Sequence, residues 1–338
     1  MKILKTLSLS VATLALASTM SSAGTLENTV KNGKLNCGLN TGLPGFAAPD
    51  SSGVWTGLDV DVCRAVAAAV LGDANKVNYA HLNAKERFTA LQSGEIDVLA
   101  RNTTWTASRD VSLGLTFTGV NYYDGQGFLV SKKLGVKSAK ELNGATFCIQ
   151  AGTTTELNLT DYFKSLKMTY TPITYDTSAQ TIQGFEEGRC DALTSDASQL
   201  YGLKTQLKDP NSAIVLPEII SKEPLGIAVR QGDDKWFKIV RWAEIAMLNA
   251  EELGITSKNV DEMLKSPNPD IQRLLGVTGD IGQNLGLDPK WAYNIIKQVG
   301  NYGESFDRNV GKGSPLGIER GLNALWKDGG LQYGAPIR

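Results

Sequence analysis

The sequence predicts an α/β protein of two lobes, each a mostly parallel sheet flanked by helices. Two observations predict it. One helix–glycine–strand unit occurs twice, and each copy follows a strand, a glycine-bearing loop and a helix in the same order. The first copy is Leu91-Gln-Ser-Gly94-Glu-Ile-Asp97-Val-Leu-Ala-Arg-Asn102; the second is Phe185-Glu-Glu-Gly188-Arg-Cys-Asp191-Ala-Leu-Thr-Ser-Asp196. In both, a polar helix end stops at glycine, which accepts the left-handed conformation a helix stop needs. An aspartate follows, then a short strand that ends on a polar side chain eight residues after the glycine. Asn102 and Asp196 thus hold equivalent positions, each able to point into a crevice.

The elements follow in chain order. Residues 1–23 have the layout of a cleaved secretory signal: Lys2 and Lys5, an apolar stretch from Leu7 to Ala17, then Ser21 and Ala23. The apolar run is shorter than the roughly 20 residues of a membrane anchor. No cysteine precedes Cys37, so the expectation is a free, unlipidated chain in the periplasm. About 315 residues remain, enough for two domains. Leu35 to Leu39 reads as a strand, followed by the loop Thr41-Gly-Leu-Pro-Gly-Phe46. Val62, Ala65, Val66, Ala69 and Val70 then recur at helical spacing. In the second half Ala145 to Ala151 reads as a strand. Thr153-Thr-Thr-Glu156 fits a capping box that opens a helix. Strands alternating with helices imply parallel sheets, whose ligands sit at the carboxyl ends of the strands. The expected layout is lobe 1 over 24–128 and 226–338, with lobe 2 over 129–225.

Formal net charge is −1, with no basic surplus to attract nucleic acid. The single histidine, His81, argues against a histidine metal site and removes the commonest general base. No metal and no cofactor is expected. Cys37, Cys63, Cys148 and Cys190 form an even set in a secreted chain, which favours disulfides. Pairing Cys37 with Cys63 and Cys148 with Cys190 keeps each bond inside a lobe, although four cysteines allow three pairings.

A cleft between such lobes suits a free amino acid. Its carboxylate wants a guanidinium, which makes two parallel hydrogen bonds, or a helix N-terminus. Its ammonium wants a carboxylate and other oxygens. Candidates stand just after the strands: Asn102, Thr104 and Arg109 in lobe 1, Thr153, Thr154 and Asp196 in lobe 2. Phe46 could pack on the ligand side chain.

Taken together, these segments resemble the polar amino-acid family of periplasmic solute-binding proteins (family 3). Gly57-Leu-Asp-Val-Asp61, Leu91 to Leu99, Thr104-Trp-Thr-Ala-Ser-Arg109, Gly152-Thr-Thr-Thr-Glu156 and Gly188 to Asp196 carry the resemblance, over roughly residues 30 to 255. It implies a periplasmic-binding-protein fold whose lobes close by two hinge strands, near 127–131 and 223–228. It implies that Arg109 clamps the α-carboxylate, helped by Thr104 and Thr154. Asp196 would take the ammonium, with Asn102 beside it. The implied partners are an L-amino acid and the membrane permease of an ABC transporter, the binding protein itself being a monomer. In place of the family's loop aromatic stands Leu43-Pro-Gly-Phe46, so Phe46 would act from a shifted position. The chain also continues about 80 residues past the usual end. With Asn102-Thr-Thr-Trp-Thr, Asn121-Tyr-Tyr-Asp-Gly-Gln-Gly127 and Pro217-Glu-Ile-Ile-Ser-Lys-Glu-Pro224 it resembles the general L-amino-acid-binding branch. That implies broad specificity, the alternative being a binder of Glu, Asp, Gln and Asn. In the tail, helices are expected after Pro289 and over Ile318 to Trp326, packed on lobe 1.

An enzyme on the same fold would need an acid or base over its substrate. Lys85, Glu86 and Asp97 belong to no such motif. A sensor role through a soluble partner is the other competing class.

Overall fold

The computed structural model describes residues 24–338; the expected secretory segment, 1–23, lies outside them. The first lobe begins with α1 (Thr25–Asn32) and β1 (Leu35–Asn40). A small ribbon, β2 (Ala48–Pro49) and β3 (Trp55–Thr56), precedes α2 (Leu58–Leu71). Then come β4 (Val77–Leu82), α3 (Arg87–Ser93), β5 (Val98–Thr104), α4 (Ala107–Ser112), β6 (Leu115–Phe117) and β7 (Tyr122–Asp124). The second lobe holds β8 (Gln126–Ser131), β9 (Thr146–Gln150), α5 (Thr154–Ser165) and β10 (Thr171–Tyr175). It ends with α6 (Ser178–Glu186), β11 (Ala192–Asp196), α7 (Ala197–Lys204) and β12 (Ala213–Val215). The chain returns to the first lobe along β13 (Glu223–Arg230).

Two sheets result, ordered β4-β1-β5-β13-β6, with β7 also on β13, and β10-β9-β11-β8-β12. The repeated strands pair in parallel, while the returning strands β8 and β13 pair antiparallel. The crossings fall a little before the expected hinges. The chain changes sheets at Gly125, between β7 and β8, and again between Val215 and Glu223. Residues 127–131 and 223–228 are themselves sheet strands, because their backbone groups find ladder partners there.

Local signals account for most elements. Gly94 caps α3 at φ 82°, and Gly188 turns the chain after α6 at φ 72°. The expected capping box at Thr153 does not form. Glu156 reaches Gly152 N at 2.9 Å, and the Thr153 hydroxyl donates to Gln150 O at 2.8 Å. Both disulfides form inside their lobes, Cys37–Cys63 and Cys148–Cys190.

The chain after β13 is mainly helical: α8 (Asp234–Glu252), then, in the tail, α9 (Val260–Met263), α10 (Pro269–Leu274), α11 (Ile281–Leu285), α12 (Trp291–Gln298) and α13 (Tyr302–Asn309). The tail packs on the first lobe. Trp291, Ile295 and Ile296 are buried in the core shared with α2 and α8. Buried Asp61 of α2 accepts bonds from Ser305, Arg308 and Asn309 at 2.6 Å each. The helix expected over Ile318 to Trp326 is replaced by two short 3-10 turns, Gly321–Asn323 and Trp326–Asp328. Gly317 and Gly321 take positive φ there and break the run.

Candidate functional site

The carboxyl ends of β5, β9 and β11 face one another across the seam between the lobes. Several contacts hold the seam shut. Lys85 Nζ lies 2.8 Å from Asp176 Oδ1. Asn102 Nδ2 donates to Gln199 Oε1 at 3.2 Å, and the Thr104 and Thr154 hydroxyls are 3.4 Å apart. Leu43 and Pro44, in the loop after β1, meet α7, where a Cβ on Gly202 would stand 2.8 Å from Pro44 O.

Inside is a narrow cavity of about 10 Å³, room for roughly one water molecule in this closed arrangement. Arg87, Arg101, Asn102 and Thr104 line it from the first lobe; Gln150, Thr153, Thr154, Thr155, Ser195, Asp196 and Gln199 line it from the second. Five of the expected residues, Asn102, Thr104, Thr153, Thr154 and Asp196, are therefore brought together. Asn102 is held at φ 30°, a cost borne by its bonds. Its N–H donates to Asp59 at 2.8 Å, and its Oδ1 accepts from Asn40 at 3.0 Å.

Arg109 is buried one step behind the cavity. Its Nη1 donates to Thr104 O at 2.8 Å, and its guanidinium sits 5.3 Å from the Phe88 ring. Nε and Nη2 have no hydrogen-bond partner among the described residues. Phe46 is not at the cavity. It is 1% exposed and packs edge-on to Tyr122 in the core, so the shifted-aromatic expectation is corrected. The loop turns Leu43 and Pro44 to the other lobe and Phe46 inward, because Gly45 reverses the chain at φ 85°.

The charges here are buried and unpaired. Among the described residues, no carboxylate lies within 4 Å of Arg87, Arg101 or Arg109. Arg87 Nε and Arg101 Nη2 are shielded from solvent with no partner. Burial pushes the Arg87 guanidinium well below its ordinary range and Arg101 down to about 10. Asp196 heads α7 but does not cap it. Burial, then the nearby charges of Asp124 and Glu223, push its carboxyl well above the usual range, while Arg87 and Arg109 pull it back.

Sequence reasoning missed Glu223, which organises the seam. Its Oε2 accepts the hydroxyls of Thr104 at 2.6 Å and Thr154 at 2.9 Å. Its Oε1 accepts Asn158 Nδ2 at 2.5 Å and Ser221 Oγ at 2.7 Å. Glu223 lies in the segment 217–224 noted above, but its role does not show there, since three of its partners come from β5 and α5. Arg87 and Arg101 were legible in principle. Arg87 shares a helix face with buried Ala90 and Leu91, and Arg101 interrupts a mostly buried strand. A charge in either place asks for a partner.

No group of three or more His, Cys, Asp or Glu among the described residues could hold a metal.

Residues 35–258 match the profile of the bacterial extracellular solute-binding proteins, family 3. The chain is 60% identical over 329 residues to the general L-amino acid-binding periplasmic protein AapJ of Rhizobium johnstonii, covering 97% of this chain and 96% of that one. It is 55% identical over 330 residues to the glutamate/glutamine/aspartate/asparagine-binding protein BztA of Rhodobacter capsulatus, covering 97% and 98%. Among solved structures it is similar to an ABC transporter periplasmic binding protein of Brucella ovis with glutathione bound. That match has a TM-score of 0.92 and 59% identity, covering 94% of this chain and all of that one.

Proposed function

The chain belongs to the bacterial extracellular solute-binding proteins of family 3, and from that premise we propose that it captures free L-amino acids in the periplasm for the permease of an ABC transporter. The observation that carries this reading is a cavity walled by guanidinium nitrogens without partners and by the buried carboxyl of Asp196. A buried ion without a partner is costly. A zwitterion relieves both signs at once, its carboxylate meeting guanidinium and its ammonium meeting Asp196.

Arg109, with two nitrogens unspent, is assigned the α-carboxylate. The N-terminus of α5 assists, because Thr153 leaves it uncapped and its free N–H groups favour an anion. Thr104 and Thr154 take a different role from the one first expected. A hydroxyl has one hydrogen to donate, and both are spent on Glu223. What these side chains offer the cavity is lone pairs, which suit the ammonium beside Asp196. Asn102 fixes the register of the strand. The protein acts by binding and release, with no chemical step. Cleavage at Ala23, the absence of a lipid and a monomeric state belong to the same reading.

The likeness to a general L-amino-acid binder supports broad range. A specific observation favours the narrower alternative of acidic amino acids and their amides. Arg87 and Arg101 add two guanidinium groups to the cavity wall, more than one α-carboxylate uses.

The test is a thermal-shift screen of the mature chain, freed of carried-over ligand, against the twenty L-amino acids, their D-isomers, simple carboxylates and glutathione. Binding to the folded state alone adds ~2.7 kcal/mol at a hundred times Kd. Shifts with many L-amino acids, reduced by Arg109→Ala and by Asp196→Asn, are expected. Shifts confined to Glu, Asp, Gln and Asn select the narrow range. No shift with any L-amino acid refutes the proposal.

A further inference from the structure

The C-terminal segment closes a second, larger cavity of about 220 Å³, which shares no lining residue with the seam cavity. It lies between α8, the start of α2, the Thr118–Asn121 link that leads into β7, and the tail. Leu58, Ile245, Leu248 and Leu331 supply apolar wall. Two charged residues border the same space, Arg241 and Glu244. They stand three apart on α8 and so share a helix face.

Their bonding is incomplete in a complementary way. Glu244 Oε2 accepts the Thr118 hydroxyl at 2.7 Å, but Oε1 is shielded from solvent and has no partner. Arg241 Nε donates to Thr118 O at 2.7 Å, and its guanidinium lies 4.2 Å from the Phe237 ring. Neither Nη has a hydrogen-bond partner among the described residues. The two side chains do not close an ion pair on each other, since Thr118 occupies one end of each. Burial pushes the Glu244 carboxyl up to about 7, with Arg241 pulling it back.

We propose that this cavity is a second solute site, for a free amino acid with an aliphatic side chain. Its ammonium would meet Glu244, its carboxylate the free Nη groups of Arg241, and its side chain the apolar wall. The tail is what makes the site: without Leu331 and its neighbours the groove beside α8 is open.

The experiment is calorimetric titration with L-leucine. It begins from the Arg109→Ala chain, in which the cleft reading removes binding at the seam. Leucine still binds this chain saturably at one equivalent. Adding Glu244→Gln weakens that binding by about tenfold or more, since it takes away a charge-assisted hydrogen bond, and separately Gly119→Leu does so by filling the cavity. Gly119 lines the cavity, and a Cβ there meets nothing closer than Glu244 Oε2 at 3.7 Å, so the larger side chain enters open space. The proposal is overturned if the Arg109→Ala chain binds no leucine. It is equally overturned if the surviving binding ignores both added substitutions. Failure of the cleft reading looks different: Arg109→Ala then leaves every amino-acid affinity at its original value, and Glu244→Gln on its own still reports on the second site.

Discussion

Gly202→Ala separates closure from folding with a single methyl group. Gly202 lies within α7 and faces the loop after β1 on the other lobe. The added Cβ would stand 2.8 Å from Pro44 O, with Leu43 Cδ1 at 3.7 Å. The obstacle is backbone and cannot swing aside. The contact exists only when the lobes meet, so the open form carries no strain. Within α7 itself, alanine is better than glycine by ~0.5–1 kcal/mol. In the closed form an inserted methyl costs ~1–3 kcal/mol, or roughly fivefold to 150-fold in affinity. The lobes must part by a few tenths of an ångström, which stretches the Asn102–Gln199 bond from 3.2 Å and the Thr104–Thr154 contact from 3.4 Å. Calorimetry should show weaker amino-acid binding, while the ligand-free melting temperature stays level or rises. An affinity within twofold of the original chain, or a fall in ligand-free melting temperature, refutes the placement of Gly202 at a closing surface.

Glu223→Gln removes the charge that joins β13 to Thr104 on one side and to Thr154 and Asn158 on the other. Losing one charge-assisted bond on closure weakens binding by roughly tenfold to a hundredfold; small-angle scattering with saturating ligand should show a smaller closed fraction, and unchanged scattering and affinity would exclude Glu223 as a lobe tie. Replacing both Cys148 and Cys190 with serine releases a loop of separation 42, and replacing Cys37 and Cys63 one of 26. Chain entropy puts these losses at ~4 and ~3.5 kcal/mol, read by urea melts. Each bond lies inside one lobe, so affinity for the amino acid at a temperature where the chain is folded should hold; a loss of binding without a loss of stability would contradict that.

Order and identity of the elements are local matters, and the sequence by itself determined them. Gly94 and Gly188 stop helices because left-handed backbone is cheap only for glycine. The strands after them run to Asn102 and Asp196 at equal spacing. These features depend on neighbours a few residues away, or on a repeat that doubles the signal. Tertiary structure alone decided which polar groups meet. Thr153 had the right spacing for a capping box, yet Gln150 O takes its hydroxyl once β9 and α5 are in place. Phe46 reads by itself as core and only the resemblance made it a lid; the turn at Gly45 sends it to Tyr122. Glu223 sits in the segment 217–224, yet its role is not legible there, because its four partners come from three separate segments. The same holds for Arg87 and Arg101. Their charge in apolar runs announced that something must satisfy them, but only the closed seam brings them to the wall that Asp196 faces. Propensity and periodicity are written along the chain, whereas a buried charge is settled by whatever folding carries next to it.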